Sequence, residues 1–206
     1  RGVRRFVDGR GVDGAGRTLG VVGMGCIGQA VARRAIGFDM RVLYHNRNRL
    51  SESVECECAA RWVDKATLLR QADHLVLVLP YTRESHHIIG AAELALMKPG
   101  AVLVNIARGG LVDEAALAVA LREGHLAAAG LDVYEDEPLV HPDLLALEQV
   151  VLSPHLGSAS ADTRRAMAEL AVDNVLAGLG LGPEAGHPPA PINPQVLAAR
   201  RLGSKA

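Results

Sequence analysis

The chain has 206 residues, 49% of them hydrophobic, and a formal net charge of −1. At roughly 150 residues per domain this is one full domain with something added, and it is apolar enough for a sizeable core. Near-neutral charge and 3% aromatic content exclude an electrostatic partner such as nucleic acid or a membrane surface, and an aromatic platform for single strands.

In chain order, the first 15 residues read as a stub: Arg-Gly-Val-Arg-Arg begins them, with no Met and no apolar signal-peptide core. Apolar runs predict strands at 19–22, 41–44, 75–79, 101–105, 128–133 and 150–153, with a short extra strand at 59–62. Their Val and Leu content suits strands buried on both faces, as parallel strands are. Between them, Ile27, Ala30, Val31 and Ala35 recur at helical spacing. Asp113 can cap a helix whose apolar face holds Leu117, Ala120 and Leu121, with Gly124 ending it. A last helix over 161–179 puts Met167, Leu170, Ala171 and Val175 on one stripe, and the tail from Gly180, with Pro188, Pro189, Pro191 and Pro194, reads as an extended arm. Strands alternating with helices define an α/β class, a Rossmann-type doubly wound parallel sheet. The expected organisation is a remnant over 1–15, a dinucleotide-binding domain over 16–157, and a C-terminal helix and arm over 158–206. The end pieces are too small to form a second domain alone.

The three cysteines, Cys26, Cys56 and Cys58, are odd in number and carry no framework spacing. That argues for a reducing compartment, and the expected location is the cytoplasm. No stretch is apolar for the ~20 residues a membrane span requires.

Gly23-Met24-Gly25-Cys26-Ile27-Gly28 follows the first strand and opens a helix. Glycines in that context permit a tight turn, close approach of backbone to a pyrophosphate, and helix-on-sheet packing, while the helix N-terminus supplies free N–H groups. Binders of NAD carry an acid at the end of the second strand for the ribose hydroxyls. Here Tyr44-His45-Asn46-Arg47-Asn48-Arg49 has no carboxylate before Glu52, and Arg47 or Arg49 would attract a 2′-phosphate. NADP(H) is therefore expected in preference to NAD(H), which stays the second candidate. Cys26 beside the phosphates is read as a small residue tolerated in the turn.

Arg108, Glu137 and His155 each follow a predicted strand, and in open α/β sheets the ligand crevice lies beyond the carboxyl ends of the strands. The three side chains suit reduction of a 2-keto acid. A guanidinium fork binds a carboxylate and polarises a carbonyl, an imidazole exchanges a proton near neutral pH, and a carboxylate orients that imidazole. The remaining histidines, including His86 and His87, show no ligand spacing with one another, so no metal is expected.

With Asp73 through Thr82, Met97 through Gly100, Asn105 through Asp113, Gly130 through Pro138 and Ser153 through Ser158, these motifs resemble the D-isomer-specific 2-hydroxyacid dehydrogenases over nearly the whole chain. The resemblance implies that Arg108 binds substrate, Glu137 orients the base and His155 is the acid/base. It places Asp132 near the nicotinamide carboxamide, and Leu79, Pro80, Ala107 and Gly157 along the cofactor. The loop after Tyr44 and the Pro191-Ile192-Asn193-Pro194 tail are most similar to NADPH-preferring glyoxylate, hydroxypyruvate and 2-ketogluconate reductases. Cys26 stands where the family frequently has an Arg. The family's N-terminal substrate-domain segment is expected to be missing before Arg1, and a homodimer is implied. The competing expectations are a cofactor-sensing module that acts through protein partners and a fragment that binds nucleotide without turnover.

Overall fold

The computed structural model describes residues 14–195, so most of the expected stub and the end of the tail lie outside the described residues. Seven parallel strands form one sheet: β1 (Thr18–Val22), β2 (Arg41–His45), β3 (Ala60–Trp62), β4 (His74–Leu77), β5 (Ala101–Asn105), β6 (Leu126–Leu131) and β7 (Val150–Leu152), in the order β3-β2-β1-β4-β5-β6-β7. The order reverses between β1 and β4, and this switch point is where an open α/β sheet leaves a crevice beyond its carboxyl edge. The helices are α1 (Cys26–Ala35), α2 (Glu52–Glu57), α3 (Lys65–Gln71), α4 (Ala91–Leu96), α5 (Glu114–Arg122), α6 (Pro142–Leu145) and α7 (Ala161–Gly178).

Strand side chains alternate between two cores, as a period of two requires. Leu19, Val21, Val42, Tyr44 and Val76 join Ala32 and Ala35 of α1 on one face. Val22, Leu43, Leu75, Leu77 and Leu103 join Leu68 and Leu69 of α3, Leu94 of α4 and Leu117 and Leu121 of α5 on the other. That two-sided burial is what the Val- and Leu-rich runs imply. Gly20 permits it locally, since a Cβ there would meet the Cβ of Ala72 at 2.8 Å.

The caps are local. Asp64 accepts the Thr67 amide at 2.9 Å to open α3, and Asp113 accepts the Ala116 amide at 2.9 Å to open α5. Gly124 closes that last turn with φ of 74°, a left-handed conformation glycine adopts without cost.

Boundaries differ from expectation in explicable ways. The fourth strand ends at Leu77 rather than Leu79, although the Val78 amide still bonds the Val22 carbonyl at 2.9 Å. Pro80 has no N–H and disfavours continuation. The helices α2, α3, α4 and α6, of 6, 7, 6 and 4 residues, are too short to show a 3.6-residue period.

The chain forms two compact units that divide between Pro154 and His155. In the second, Ser160 caps α7 by accepting the Thr163 amide at 3.2 Å. Met167, Leu170 and Val175 of the expected stripe are exposed. The tail is not an extended arm where it is described. Gly180, Gly182 and Gly186 take positive φ and reverse the chain, and the Gly186 and Ala190 amides bond back to Ala177 O at 2.8 Å and Asn174 Oδ1 at 3.0 Å.

Candidate functional site

The Gly-rich turn leaves β1 and enters α1. Gly23 has φ of 100°, and a Cβ there would meet the Leu79 backbone nitrogen at 2.7 Å; at Gly28 it would meet the Gly23 carbonyl oxygen at 2.3 Å. Both positions exclude a side chain. Gly25, the N-cap of α1, has open space around it, which leaves its backbone approachable. Met24 is buried, while Cys26 and Ile27 are exposed at the helix start. The first turn of α1 holds no acid that would compete for its N–H groups.

The loop after β2 is tied to this turn. Asn46 Oδ1 accepts the Met24 amide at 2.7 Å, and the Asn46 carbonyl accepts Trp62 Nε1–H at 3.1 Å. The two arginines of the loop differ. Arg49 donates to both carboxylate oxygens of Glu55, at 2.9 and 2.6 Å, and Tyr44 Oη–H donates to the same carboxylate at 2.7 Å. Those hydrogen bonds, that from Arg49 foremost, hold the Glu55 carboxyl down at about 2. Burial and the Glu55 bond push the Tyr44 phenol up to about 12. Arg49 is thus engaged by Glu55, and both arginines are exposed. Arg47 also contributes, after the Thr82 hydroxyl and the local backbone, to drawing the Glu84 carboxyl below its usual range.

On the other side of the switch point, Arg108 follows β5 and Glu137 follows β6, neighbouring strands paired from Ala101↔Leu126 to Asn105↔Leu131. Buried Asn105 organises the first turn: its Nδ2 donates to the Arg108 carbonyl at 2.9 Å and its Oδ1 accepts the Ala107 amide at 3.1 Å. Arg108 itself is exposed, with one guanidinium N–H on the Ala107 carbonyl at 2.6 Å. Glu137 Oε1 accepts the Tyr134 amide at 3.1 Å, and the Tyr134 hydroxyl bonds the Ser153 carbonyl at 2.7 Å. Asp132 is buried and takes a short hydrogen bond from Ser153 Oγ. The two turns touch at Gly109, where an added Cβ would lie 1.8 Å from the Tyr134 carbonyl carbon.

Leu79 is half-buried and Pro80 exposed just past β4. His155 and Gly157 open the second unit, both exposed, and His155 takes the left-handed φ of 54°. A non-glycine residue held there is uncommon, and such conformations cluster at functional sites.

Sequence reasoning missed several supports. Glu55 neutralises Arg49 six residues back, Trp62 holds Asn46 across 16 positions, and Tyr134 pins the Glu137 turn to Ser153 across 19. Glu114 is another. It reads locally as an ordinary acid in a helix first turn, yet it is buried and its Oε1 accepts the Glu135 amide at 2.9 Å. Burial, against the opposing pull of that amide, pushes its carboxyl above the usual range. The folded state therefore holds this proton more tightly than the unfolded chain does. Its contribution is greatest below the usual carboxylate range and declines as pH rises through that range toward the raised folded value. Glu114→Gln keeps an oxygen for the Glu135 amide and removes the charge. Urea unfolding across pH is expected to find the variant more stable than the parent at neutral pH, with the difference closing on acidification. Equal pH profiles would contradict this.

The family model described as "D-isomer specific 2-hydroxyacid dehydrogenase, NAD binding domain" matches residues 4–157. The glyoxylate reductase of Thermococcus onnurineus is 50% identical over 193 residues, 94% of this chain and 56% of that protein. The crystal structure of a glyoxylate reductase from Paecilomyes thermophila aligns with TM-score 0.79 and 46% identity over 82% of this chain and 51% of that one. The NADPH-dependent glyoxylate/hydroxypyruvate reductase from Sinorhizobium meliloti, solved with citrate, aligns with TM-score 0.74 and 37% identity over 82% of this chain and 54% of that one. The chain spans about half the length of the relatives it matches.

Proposed function

The chain belongs to the D-isomer-specific 2-hydroxyacid dehydrogenase family, whose NAD-binding domain it carries, and on that premise we propose that its protein reduces a small 2-keto acid such as glyoxylate or hydroxypyruvate, with NADP(H) preferred over NAD(H). What supports this most is the packing of the Arg108 and Glu137 turns against each other at the sheet edge that also bears the Gly-rich turn.

The bound nicotinamide supplies the hydride. Arg108 receives the substrate carboxylate in its guanidinium fork and polarises the carbonyl. His155 gives a proton to the carbonyl oxygen as it becomes a hydroxyl and takes one back in the oxidative direction. Glu137 is the carboxylate assigned to orient that imidazole. Asp132 would hold the nicotinamide carboxamide, and the α1 N-terminus with Gly23, Gly25 and Gly28 would hold the pyrophosphate. A homodimer through the nucleotide-binding domain goes with the same reading, and sedimentation of the purified chain tests it.

The decisive assay is NADPH oxidation by the purified chain with glyoxylate and hydroxypyruvate, beside an NADH series and a His155→Asn control. Turnover that vanishes in the control establishes the reductase. Saturable NADPH binding without turnover keeps the nucleotide site and assigns the missing function to parts beyond this chain. Absence of both sinks the reading.

Cofactor choice is tested at one residue. A charge-assisted hydrogen bond contributes about 1.5–3 kcal/mol, so Arg47→Ala is expected to weaken NADPH binding by about 10–100-fold and leave NADH nearly unchanged. Isothermal titration with each nucleotide reads this directly. Equal losses for both nucleotides would remove Arg47 from 2′-phosphate recognition.

A further inference from the structure

The segment after β4 and the turn after β6 meet at a cluster that the reductase chemistry does not use. His87 Nε2–H donates to Glu135 Oε1 at 2.7 Å across 48 positions of sequence. The His86 ring stacks on His87 with centroids 3.8 Å apart and planes 23° from parallel. The Tyr81 hydroxyl bonds His86 Nδ1 at 3.1 Å, with the tyrosine ring edge-on to the imidazole. One nitrogen from each imidazole and one Glu135 oxygen lie within 4.8 Å of one another, the one such grouping of His, Cys, Asp or Glu among the described residues.

The cluster is held from behind. A Cβ at Gly110 would meet the Tyr81 ring at 2.8 Å, so that ring lies directly on the backbone. The His87 amide donates to the Gly110 carbonyl at 2.8 Å, with His87 in the left-handed region at φ of 49°. The Glu135 amide is fixed by Glu114. Ligands about 2.1 Å from a tetrahedral zinc lie about 3.4 Å apart, and imidazole lone pairs lie in the ring planes, so an ion shared by both rings requires one of them to turn out of the stack toward Glu135.

We propose that His86, His87 and Glu135 form a binding site for a zinc-class divalent cation, which bridges the segment after β4 to the turn carrying Glu137. Two imidazoles and one carboxylate suit zinc, nickel or copper and not the all-oxygen shells of magnesium and calcium. The Tyr81 hydroxyl on His86 is the outer partner that fixes a ligating ring. Binding replaces the His87–Glu135 hydrogen bond with a bond from each side chain to the ion. The sequence expectation of no metal rested on histidine spacing. Spacing cannot register Glu135, which the fold brings in from a different strand.

The test is titration of the purified chain with zinc chloride, using calorimetry and competition against a chromophoric chelator. The expected result is saturable one-to-one binding. His86→Ala leaves the His87–Glu135 hydrogen bond intact, and Glu135→Gln leaves both imidazoles. Each removes a direct ligand and is expected to weaken zinc by more than the about 10-fold that marks an outer-shell change. Circular dichroism checks that each variant folds. The Cys26→Ser, Cys56→Ser double variant is expected to bind as the parent does. No saturable binding, binding that survives both ligand substitutions, or loss in the cysteine variant overturns the site.

Discussion

Gly109→Ala is expected to be the most damaging single-atom addition in the nucleotide-binding unit. The new Cβ would lie 1.8 Å from the Tyr134 carbonyl carbon, 2.0 Å from its oxygen and 2.2 Å from the Glu135 nitrogen. All three are backbone atoms, so no rotamer change relieves the overlap. The obstructing turn is itself tied down. The Tyr134 hydroxyl is on Ser153, the Tyr134 amide on Glu137 and the Glu135 amide on Glu114. Overpacking usually costs about 1–3 kcal/mol, and a rigid backbone neighbour puts this case at or above the upper end. The turns bearing Arg108 and Glu137 must separate, and a misplacement of about 1 Å costs on the order of 100-fold in turnover. Gly110→Ala is the internal comparison, because its Cβ meets a Tyr81 side chain at 2.8 Å, and that ring can swing away. Urea midpoints and keto-acid turnover are expected to fall in the order parent, Gly110→Ala, Gly109→Ala. A Gly109→Ala protein as stable and active as the parent would mean that the two turns are not locked together.

The second large effect is at His155. Its φ of 54° makes asparagine the fair replacement, since asparagine tolerates left-handed backbone and lacks the imidazole. On the proposed mechanism, His155→Asn lowers kcat by about 100- to 10,000-fold, the usual worth of a positioned acid/base, with NADPH affinity unchanged. Arg108→Lys is expected to act differently. It keeps the charge but loses the planar fork, so most of its effect is a raised KM for the keto acid. If His155→Asn instead abolished NADPH binding and spared turnover at saturation, the acid/base role would pass to another group.

The central strands were legible because β4 and β5 are short runs rich in Val and Leu, and burial between two layers of helices demands such runs. Expectation and structure agree at 101–105, the central β5, where both neighbours are paired. Six-residue helices such as α2 and α4 left no period to read. The Gly-rich turn was legible because its glycines answer local demands, the close approaches at Gly23 and Gly28. Arg47 and Arg49 were indistinguishable in sequence, two cations two positions apart. The entry into α2 puts Glu55 against Arg49, six residues back, while both arginines stay exposed.

The sequence by itself determined the class of fold, the position of the dinucleotide turn and the identity of the polar residues that end β5 and β6, because each is encoded within a window of a few residues by periodicity, glycine or a cap. The tertiary structure alone decided which acid is buried and which turns touch. Those outcomes depend on strand order, and strand order brings Gly109 to Tyr134, Glu114 to Glu135 and His87 to Glu135 across separations that no local pattern records.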